Sequence, residues 1–371
     1  MNFMEIKKCR LPEFISSFAL FEVGSTTLFQ IGAEAKQDAW LVLLLAALAG
    51  LLLLLLHLTI HHLDPQRDLF ELCQLYFGKV AGTLAGSIFA AYFAYEASRN
   101  LRDLGELASY VLLNRTPIVV IMLIAVMVIA NSVRYGPRVV FLSCLVMIPF
   151  IIISYLVLVS MIAGVGLIHF ENMLPVLENG LQPVMKNVPN VISFPFGQTV
   201  LFLVFFPMIH QEGSLRRSIL ITYGITALFL LLINQMNVLV LGPKLAETVT
   251  FPLLQVVQQI ELVEVFERMD ILFVLVLFIG LGTKLVLFYI GAVVGGSRIT
   301  GTSYKKWVIP FGIAVLGMSF ASPNFTHHLW VGIDLVLKWY PLIQVGLPVM
   351  LIILMLISKN KRGGEEERQI A

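Results

Sequence analysis

Phe21-Glu22-Val23-Gly24-Ser25-Thr26-Thr27 sets an acid, a glycine and three hydroxyl side chains inside an otherwise apolar run, Glu13–Gly32. Glycine and β-branched residues weaken a helix there. An opened turn would present bare N–H and C=O groups, which is tolerable at membrane depth only where protein or a cavity surrounds it. The simpler alternative is a continuous helix whose Ser and Thr side chains bond back to their own carbonyls. A second interruption, Phe194-Pro195-Phe196-Gly197-Gln198-Thr199, opens a later apolar run, which carries Pro207 toward its end. Proline at a helix start would be trivial alone, so the weight rests on the pairing of the two breaks.

The chain around these breaks has 371 residues, 58% hydrophobic and 13% charged, with a mean hydropathy of +0.89. Soluble domains carry about 45–50% apolar and about 25% charged residues, so a soluble enzyme is excluded. Ten apolar runs have spanning length or come close to it: Glu13–Gly32, Ala39–Thr59, Val80–Leu113, Thr116–Val133, Val139–Gly166, Phe194–His210, Ser218–Leu241, Ile271–Val294, Trp307–Ser322 and Leu329–Ser358. A net charge of +2 gives no field for nucleic acid. Cys9, Cys73 and Cys144 stand alone, without the spacing of a metal site or a disulfide framework. The run after Lys7, Lys8 and Arg10 lacks a small-residue cleavage site and reads as a retained first span.

With the N-terminus inside, 16 of the 25 basic residues fall on inner segments, seven on outer ones, and Lys284 and Lys338 within spans. Both termini are therefore expected in the cytoplasm, with 359–371 a short solvated tail. Two outer segments, His169–Ser193 and Gly242–Asp270, are long enough for surface or partly re-entrant helices, and Asp68–Phe77 reads as an amphipathic helix at the inner face. The breaks open spans one and six, the first members of two five-helix halves, 13–166 and 194–358. Because five is odd, the second half enters from the opposite side. Paired broken helices in inverted halves point to a midplane substrate site.

Polar residues inside spans mark interiors or cavities. Tyr92, Glu96, Arg99, Asp103 and Glu106 share one face of the third span, with Glu96–Arg99 and Arg99–Asp103 near enough to pair. Asp103 and Glu106 are expected in water beyond the membrane, whereas Glu96 is too deep for that. Asn234, Gln235 and Asn237 suggest interhelical hydrogen bonding, and Gly82–Gly86 and Gly291–Gly295 close helix packing. Lys284, in Gly280-Leu281-Gly282-Thr283-Lys284, lies too deep to snorkel and calls for an internal partner or a neutral amine. His61–His62 and His327–His328 read as loop pairs unsuited to a metal, and no nucleotide-binding or hydrolase motif is present.

Several strings together resemble the B-subunit family of spore nutrient germinant receptors, the endospore germination permeases of the amino acid–polyamine–organocation superfamily. They are Val23-Gly24, Asp38-Ala39-Trp40, Phe70-Glu71 through Phe77-Gly78-Lys79, Arg115-Thr116-Pro117 and Leu174-Pro175-Val176-Leu177 through Gly180. Phe194-Pro195-Phe196-Gly197, Phe251-Pro252 and Glu267-Arg268-Met269-Asp270 complete the order. The resemblance implies an all-α integral membrane protein with about ten transmembrane helices in a 5+5 inverted-repeat, leucine-transporter-like bundle broken in helices 1 and 6. It further implies the spore inner membrane, A-type and lipoprotein C-type partner subunits, and a nutrient ligand, often an amino acid. Where the family frequently has an acid after the glycine of span six, this chain has Gln198 and Thr199.

The expected function is a non-enzymatic receptor subunit that binds a small nutrient and triggers germination, without cofactor or metal. The alternative is a proton- or sodium-coupled amino-acid symporter. The span Val139–Gly166 carries no charged residue, which leans toward the receptor. The expected ligand wall is Val23, Gly24, Ser25, Thr26, Phe196, Gly197 and Gln198, with Glu96 facing it and Thr283 nearby. The ligand's carboxylate would sit on bare N–H groups near Gly24 and Ser25. The resemblance also implies that spans one and eight face each other, which would bring Lys284 to Glu22 and the Phe21–Gly24 carbonyls as a coupling or structural cation. The outer stretch Phe251–Glu267, with Glu261, Glu264 and Glu267, is expected either to dock a partner or to gate the site.

Overall fold

A computed structural model describes residues 9–209, 215–261 and 269–370. Lys7, Lys8, His210, Glu264, Glu267 and Arg268, on which parts of the reading above rest, lie outside these. The described residues form helices α1 (Leu11–Val23), α2 (Ala39–Leu63), α3 (Leu69–Tyr76), α4 (Lys79–Val111), α5 (Ile118–Arg134), α6 (Pro137–Val165) and α7 (Gln182–Ser193). They continue as α8 (Leu215–Leu241), α9 (Pro243–Thr248), α10 (Pro252–Glu261), α11 (Met269–Thr300), α12 (Tyr304–Ser319), α13 (Phe325–Trp330) and α14 (Leu347–Ile370). No β-strand occurs among them. A single parallel bridge joins Cys9 to Ile209.

Among the described residues six segments are helical, long and apolar enough to cross a membrane: Ala33–Leu63, Pro137–Val165, Gln182–Val204, Leu215–Leu241, Phe273–Thr300 and Leu342–Lys359. The other segments read as spans are shorter or more polar. Helix α1 stops after 13 residues, α5 has 17 and α12 has 16. Helix α4 has 33, but Glu96, Arg99, Arg102, Asp103 and Glu106 interrupt its apolar character. Large apolar side chains such as Leu52, Val128, Ile153, Ile225, Ile313 and Met350 are exposed on α2, α5, α6, α8, α12 and α14. Water would not tolerate so extensive an apolar surface, so this is a membrane protein.

Several boundaries differ from the sequence reading. The sixth span does not begin at its break. Helix α7 precedes it, hidden in the sequence by Lys186, Asn187 and Asn190, while Val184, Val188 and Val191 form its buried stripe. Residues 182–193, read as part of an outer segment with a surface or partly re-entrant helix, are thus the first half of a helix broken near its middle. Helix α2 runs on to Leu63, which puts His61 and His62 in its last turn, and His327 and His328 belong to α13. Both pairs are helical. The segment Leu329–Ser358, read from the sequence as the tenth span, is irregular, with wide π-helical turns at Val331–Val336 and Leu342–Gly346. Helix α14 continues to Ile370, through the stretch expected as a tail.

Glycines let the central helices approach closely. A Cβ at Gly295 of α11 would lie 2.8 Å from Ala90 Cβ and 2.6 Å from the Phe70 ring, and one at Gly291 would lie 3.1 Å from Phe93. Gly82 sits against the α3 backbone, 2.6 Å from Gln74 Cα by the same measure. At one end of the molecule Asp68 caps α3, accepting from the N–H groups of Phe70 at 3.0 Å and Glu71 at 3.1 Å. Arg298, near the end of α11, clamps that cap through Asp68 at 2.6 Å and Glu71 at 3.0 Å. Toward the other end, both Asp38 oxygens accept from Leu177 N, at 3.0 and 3.1 Å, and Gln37 donates to Glu178 at 2.9 Å. This pins the loop after α6 to the start of α2.

Candidate functional site

Helix α1 ends at Val23, and Ser25–Leu28 follows as a short 3₁₀ turn. Gly24 makes the turn possible at a crowded point: a Cβ there would lie 2.9 Å from Phe21 O, 3.1 Å from Gly280 O and 3.1 Å from Lys284 Cδ. The end of α1 and helix α11 therefore touch, backbone to backbone, at Gly24 and Gly280. Thr26 bonds back to Glu22 O at 2.6 Å, and Thr27 accepts from Tyr155 at 2.9 Å. Beyond the turn, Asn234 holds both backbone groups of Ile31, accepting from its N–H at 2.8 Å and donating to its C=O at 3.0 Å. Asn237 and Gln30 join at 3.1 Å. The α8 amides thus satisfy unwound backbone that lipid could not.

The sixth-span break follows α7. Phe194 is extended and Phe196–Val204 continues as a 3₁₀ helix. Gly197 lies flush against the Gln344 amide and Gly50 against Phe196, so a side chain at either glycine would overlap its neighbour. Gln198 Nε2 donates to Glu96 Oε2 at 2.5 Å, and Tyr340 Oη donates to Glu96 Oε1. Gln344 Nε2 donates to Tyr92 Oη at 2.8 Å and to Ser193 O at 3.0 Å. Thr199 Oγ1 meets His57 Nδ1 at 3.2 Å. Glu96 is thereby bound across to the sixth and tenth spans.

A cavity of about 330 Å³ lies between the breaks. Ser25 lines it from the first break, Phe194 and Gln198 from the second, Glu96 and Arg99 from α4, and Tyr340 and Gly332 from the tenth span. Of the expected wall, Ser25, Glu96 and Gln198 reach this cavity. Val23, Gly24, Thr26, Phe196, Gly197 and Thr283 do not line it. Gly24 faces α11 instead, its N–H bonded to Leu20 O at 2.9 Å. Thr283 bonds back to Ile279 O at 2.8 Å.

Lys284 and Glu22 are both buried and near enough for each charge to act on the other, but no hydrogen bond joins them. Lys284 Nζ and both Glu22 carboxylate oxygens have no hydrogen-bond partner among the described residues. The ammonium lies over the Phe194 ring, 4.5 Å from its centroid, and 5.2 Å from that of Phe21. Aromatic faces take the place of the anticipated carbonyls because Gly280 packs onto Gly24 and closes the opened turn.

On α4 the expected pairings are also redistributed. Glu96 goes to Gln198 and Tyr340, and Asp103, expected in water, is 3% exposed and meets His328 Nε2 at 3.1 Å. Arg102 pairs with Glu106 at 2.7 Å and donates to the carbonyls of Ser319 and Ser322 at the end of α12, at 3.3 and 3.4 Å. Tyr340, Gln344 and His57 were not foreseen as site residues. His57 and Gln344 are polar groups embedded in apolar helices, a signal that intramembrane polarity offers.

The spore permease family, described as spore germination protein, matches residues 12–327. Spore germination protein KB of Bacillus subtilis (strain 168) is 30% identical over 99% of this chain and 100% of its own length. The chain belongs to the spore germination protein family. Spore germination protein B2 of the same organism is 25% identical over 69% of this chain and 69% of its own length. Spore germination protein A2 is 26% identical over 76% of this chain and 77% of its own. Phe194, Gly197 and the Asp38 and Leu177 contact pair all lie within the matched residues.

Proposed function

We propose that this protein is the membrane subunit of a spore germinant receptor, which binds a small polar nutrient, an amino acid by preference, in the cavity between its two helix breaks. The observation that carries the reading is the cavity itself: Ser25 and Gln198, from breaks 173 positions apart in the chain, line one chamber with Glu96 between helices. Such breaks place polar backbone and side chains at mid-depth, where a transporter holds its substrate. Ten spans in two inverted halves, with residues 13–166 and 194–358 as the repeats and both termini in the cytoplasm of the spore inner membrane, complete the architecture.

Signalling follows if ligand closes the cavity. Tyr340 and Gln344 tie the π-helical tenth span to Glu96, Tyr92 and Ser193, so a ligand that competes for Glu96 also biases that span. It does so only by binding one arrangement better than the other. A-type and lipoprotein C-type subunits would read the change, with α10 and the following outer segment as the docking surface. The test is germination of spores carrying this chain against a panel of amino acids, sugars and nucleosides. Response to an amino acid, lost with Gln198→Leu at normal protein level, supports the reading. Response unaffected by cavity substitutions removes it.

Glu22 and Lys284, buried without a hydrogen-bond partner among the described residues, favour a second reading, a proton-coupled amino-acid symporter, because such groups are where a proton is taken up or released. Uptake of labelled amino acid into proteoliposomes, driven by a pH gradient and lost in Lys284→Met, would support it.

A further inference from the structure

Among the described residues lining the cavity, Arg99 is the one cation, beside the acids Glu34, Glu96, Asp103 and Glu247. Three of these acids are engaged elsewhere: Glu96 by Gln198 and Tyr340, Asp103 by His328, and Glu34 by Lys186 at 3.3 Å. Arg99 forms no ion pair within 4 Å among the described residues, although it donates a hydrogen bond to Tyr95 and the charges of Glu96 and Asp103 act on it, whereas Arg102, one turn along, is fixed to Glu106. The Arg99 guanidinium lies flush on Gly332, the second residue of the π-helical turn Val331–Val336, and any Cβ at Gly332 would overlap Nη1. Glycine there leaves the planar fork room beside the helix backbone. The first break, by contrast, presents no comparable anion seat at Gly24, whose N–H is bonded to Leu20 O and whose open face is covered by Gly280.

We infer that Arg99, seated on Gly332, is the anion-recognition residue of the cavity, and that the ligand is one bearing a carboxylate. The inference rests on the proposed function and replaces the break backbone with a side chain as the carboxylate's anchor. A guanidinium presents a rigid fork of donors that matches a carboxylate with two parallel hydrogen bonds. A neutral ligand would leave most of the fork's donors desolvated and unmatched, which selects for the anion. Because the fork rests on Gly332 and three of the four acids lining the cavity with it are engaged by other partners, ligand binding couples α4 to Gly332 without first breaking a close ion pair.

The test measures thermal-shift binding of the full chain in lipid nanodiscs to each of the common L-amino acids, to the decarboxylated amine of each, and to inorganic phosphate. The expected result is an amino acid that binds at least tenfold more tightly than its amine. Arg99→Gln should lose at least tenfold in affinity together with that discrimination, and Gly332→Ala should lose part of it by displacing the fork. Arg99→Lys, which keeps the charge and loses the fork, should fall between wild type and Arg99→Gln. The comparison of acid with amine needs only the wild-type chain, so a variant that fails to fold does not remove the test. Equal binding of acid and amine overturns the inference, as does an Arg99→Gln chain that keeps both affinity and preference. Arg99-dependent binding of phosphate without any amino acid overturns the carboxylate assignment in favour of another oxyanion. Absence of any amino-acid shift in wild type, with response to a neutral nutrient in spores, removes the amino-acid reading and the inference with it.

Discussion

Gln198 Nε2 donates to Glu96 Oε2 at 2.5 Å, across 102 positions of sequence, and so ties the break in the sixth span to the charged face of α4. The other carboxylate oxygen accepts from Tyr340. Each donor offsets part of what it costs to bury the acid.

Removing either donor should therefore be felt in the fold as well as in the site. Gln198→Leu and Tyr340→Phe are each expected to cost about 1–3 kcal/mol, the usual penalty for stranding a buried polar group. Thermal unfolding in detergent checks this. Unchanged midpoints in both variants would show that Glu96 is satisfied by other means.

Gly280 and Gly282 separate packing from helix propensity within one turn of α11. A Cβ at Gly280 would lie 3.0 Å from Gly24 Cα, whereas one at Gly282 meets nothing within 4 Å. Gly280→Ala should destabilise by about 1–3 kcal/mol through overpacking. Gly282→Ala should be neutral or stabilise by up to about 1 kcal/mol, since alanine is the better helix former. The pair of unfolding midpoints decides it, and equal shifts in the two variants would refute a backbone contact between the first and eighth spans.

The two breaks were legible in the sequence because Gly24 and Pro195 disrupt apolar runs that otherwise have no reason to stop. That α7 continues into the second break was not, because a helix that faces a polar cavity on one side loses the apolar continuity by which spans are recognised, so it read only as a surface or partly re-entrant helix. Glu96 stood out as too deep for water, but its partners did not: Gln198 lies 102 and Tyr340 244 positions away. No periodicity reaches across such distances. Asp103 was misplaced for the same reason, since the histidine that accompanies it in the interior belongs to α13. Asp38 and Leu177 were noted as separate strings, and only the fold shows that one holds the other.

The cap of α3 carries a pH dependence. Burial pushes the Asp68 carboxyl up from its ordinary value near 3.8 to about 6, a rise only partly offset by Arg298 and reinforced by Glu71. The folded chain then holds this proton more tightly than the unfolded chain, so the contribution to stability is greatest below about pH 4 and declines as pH rises toward 6. Asp68→Asn keeps a good N-cap and removes the titration. Unfolding midpoints from pH 4 to 7 should fall more steeply in wild type than in the variant. Identical slopes would mean that Asp68 does not titrate in this window.

Lys284 offers the clearest separation of stability from function. Its ammonium is buried over Phe194 and Phe21, without a hydrogen-bond partner among the described residues. Cation–π attraction stabilises such a group by about 2 kcal/mol when desolvated, whereas burying an ion costs several kcal/mol after relaxation. The Glu22 charge nearby offsets part of that cost without a hydrogen bond, and the remainder leaves the lysine a net burden on the fold. Lys284→Met keeps the stem, fills nearly the same space and removes the charge. It is expected to raise the unfolding midpoint, in contrast to the loss a structural tether between the first and eighth spans would give. Residues retained against stability are commonly those that function requires, so the same variant is expected to abolish the germination response at normal protein level. A lowered midpoint would restore the tether, and an unimpaired response would leave Lys284 without a role in signalling.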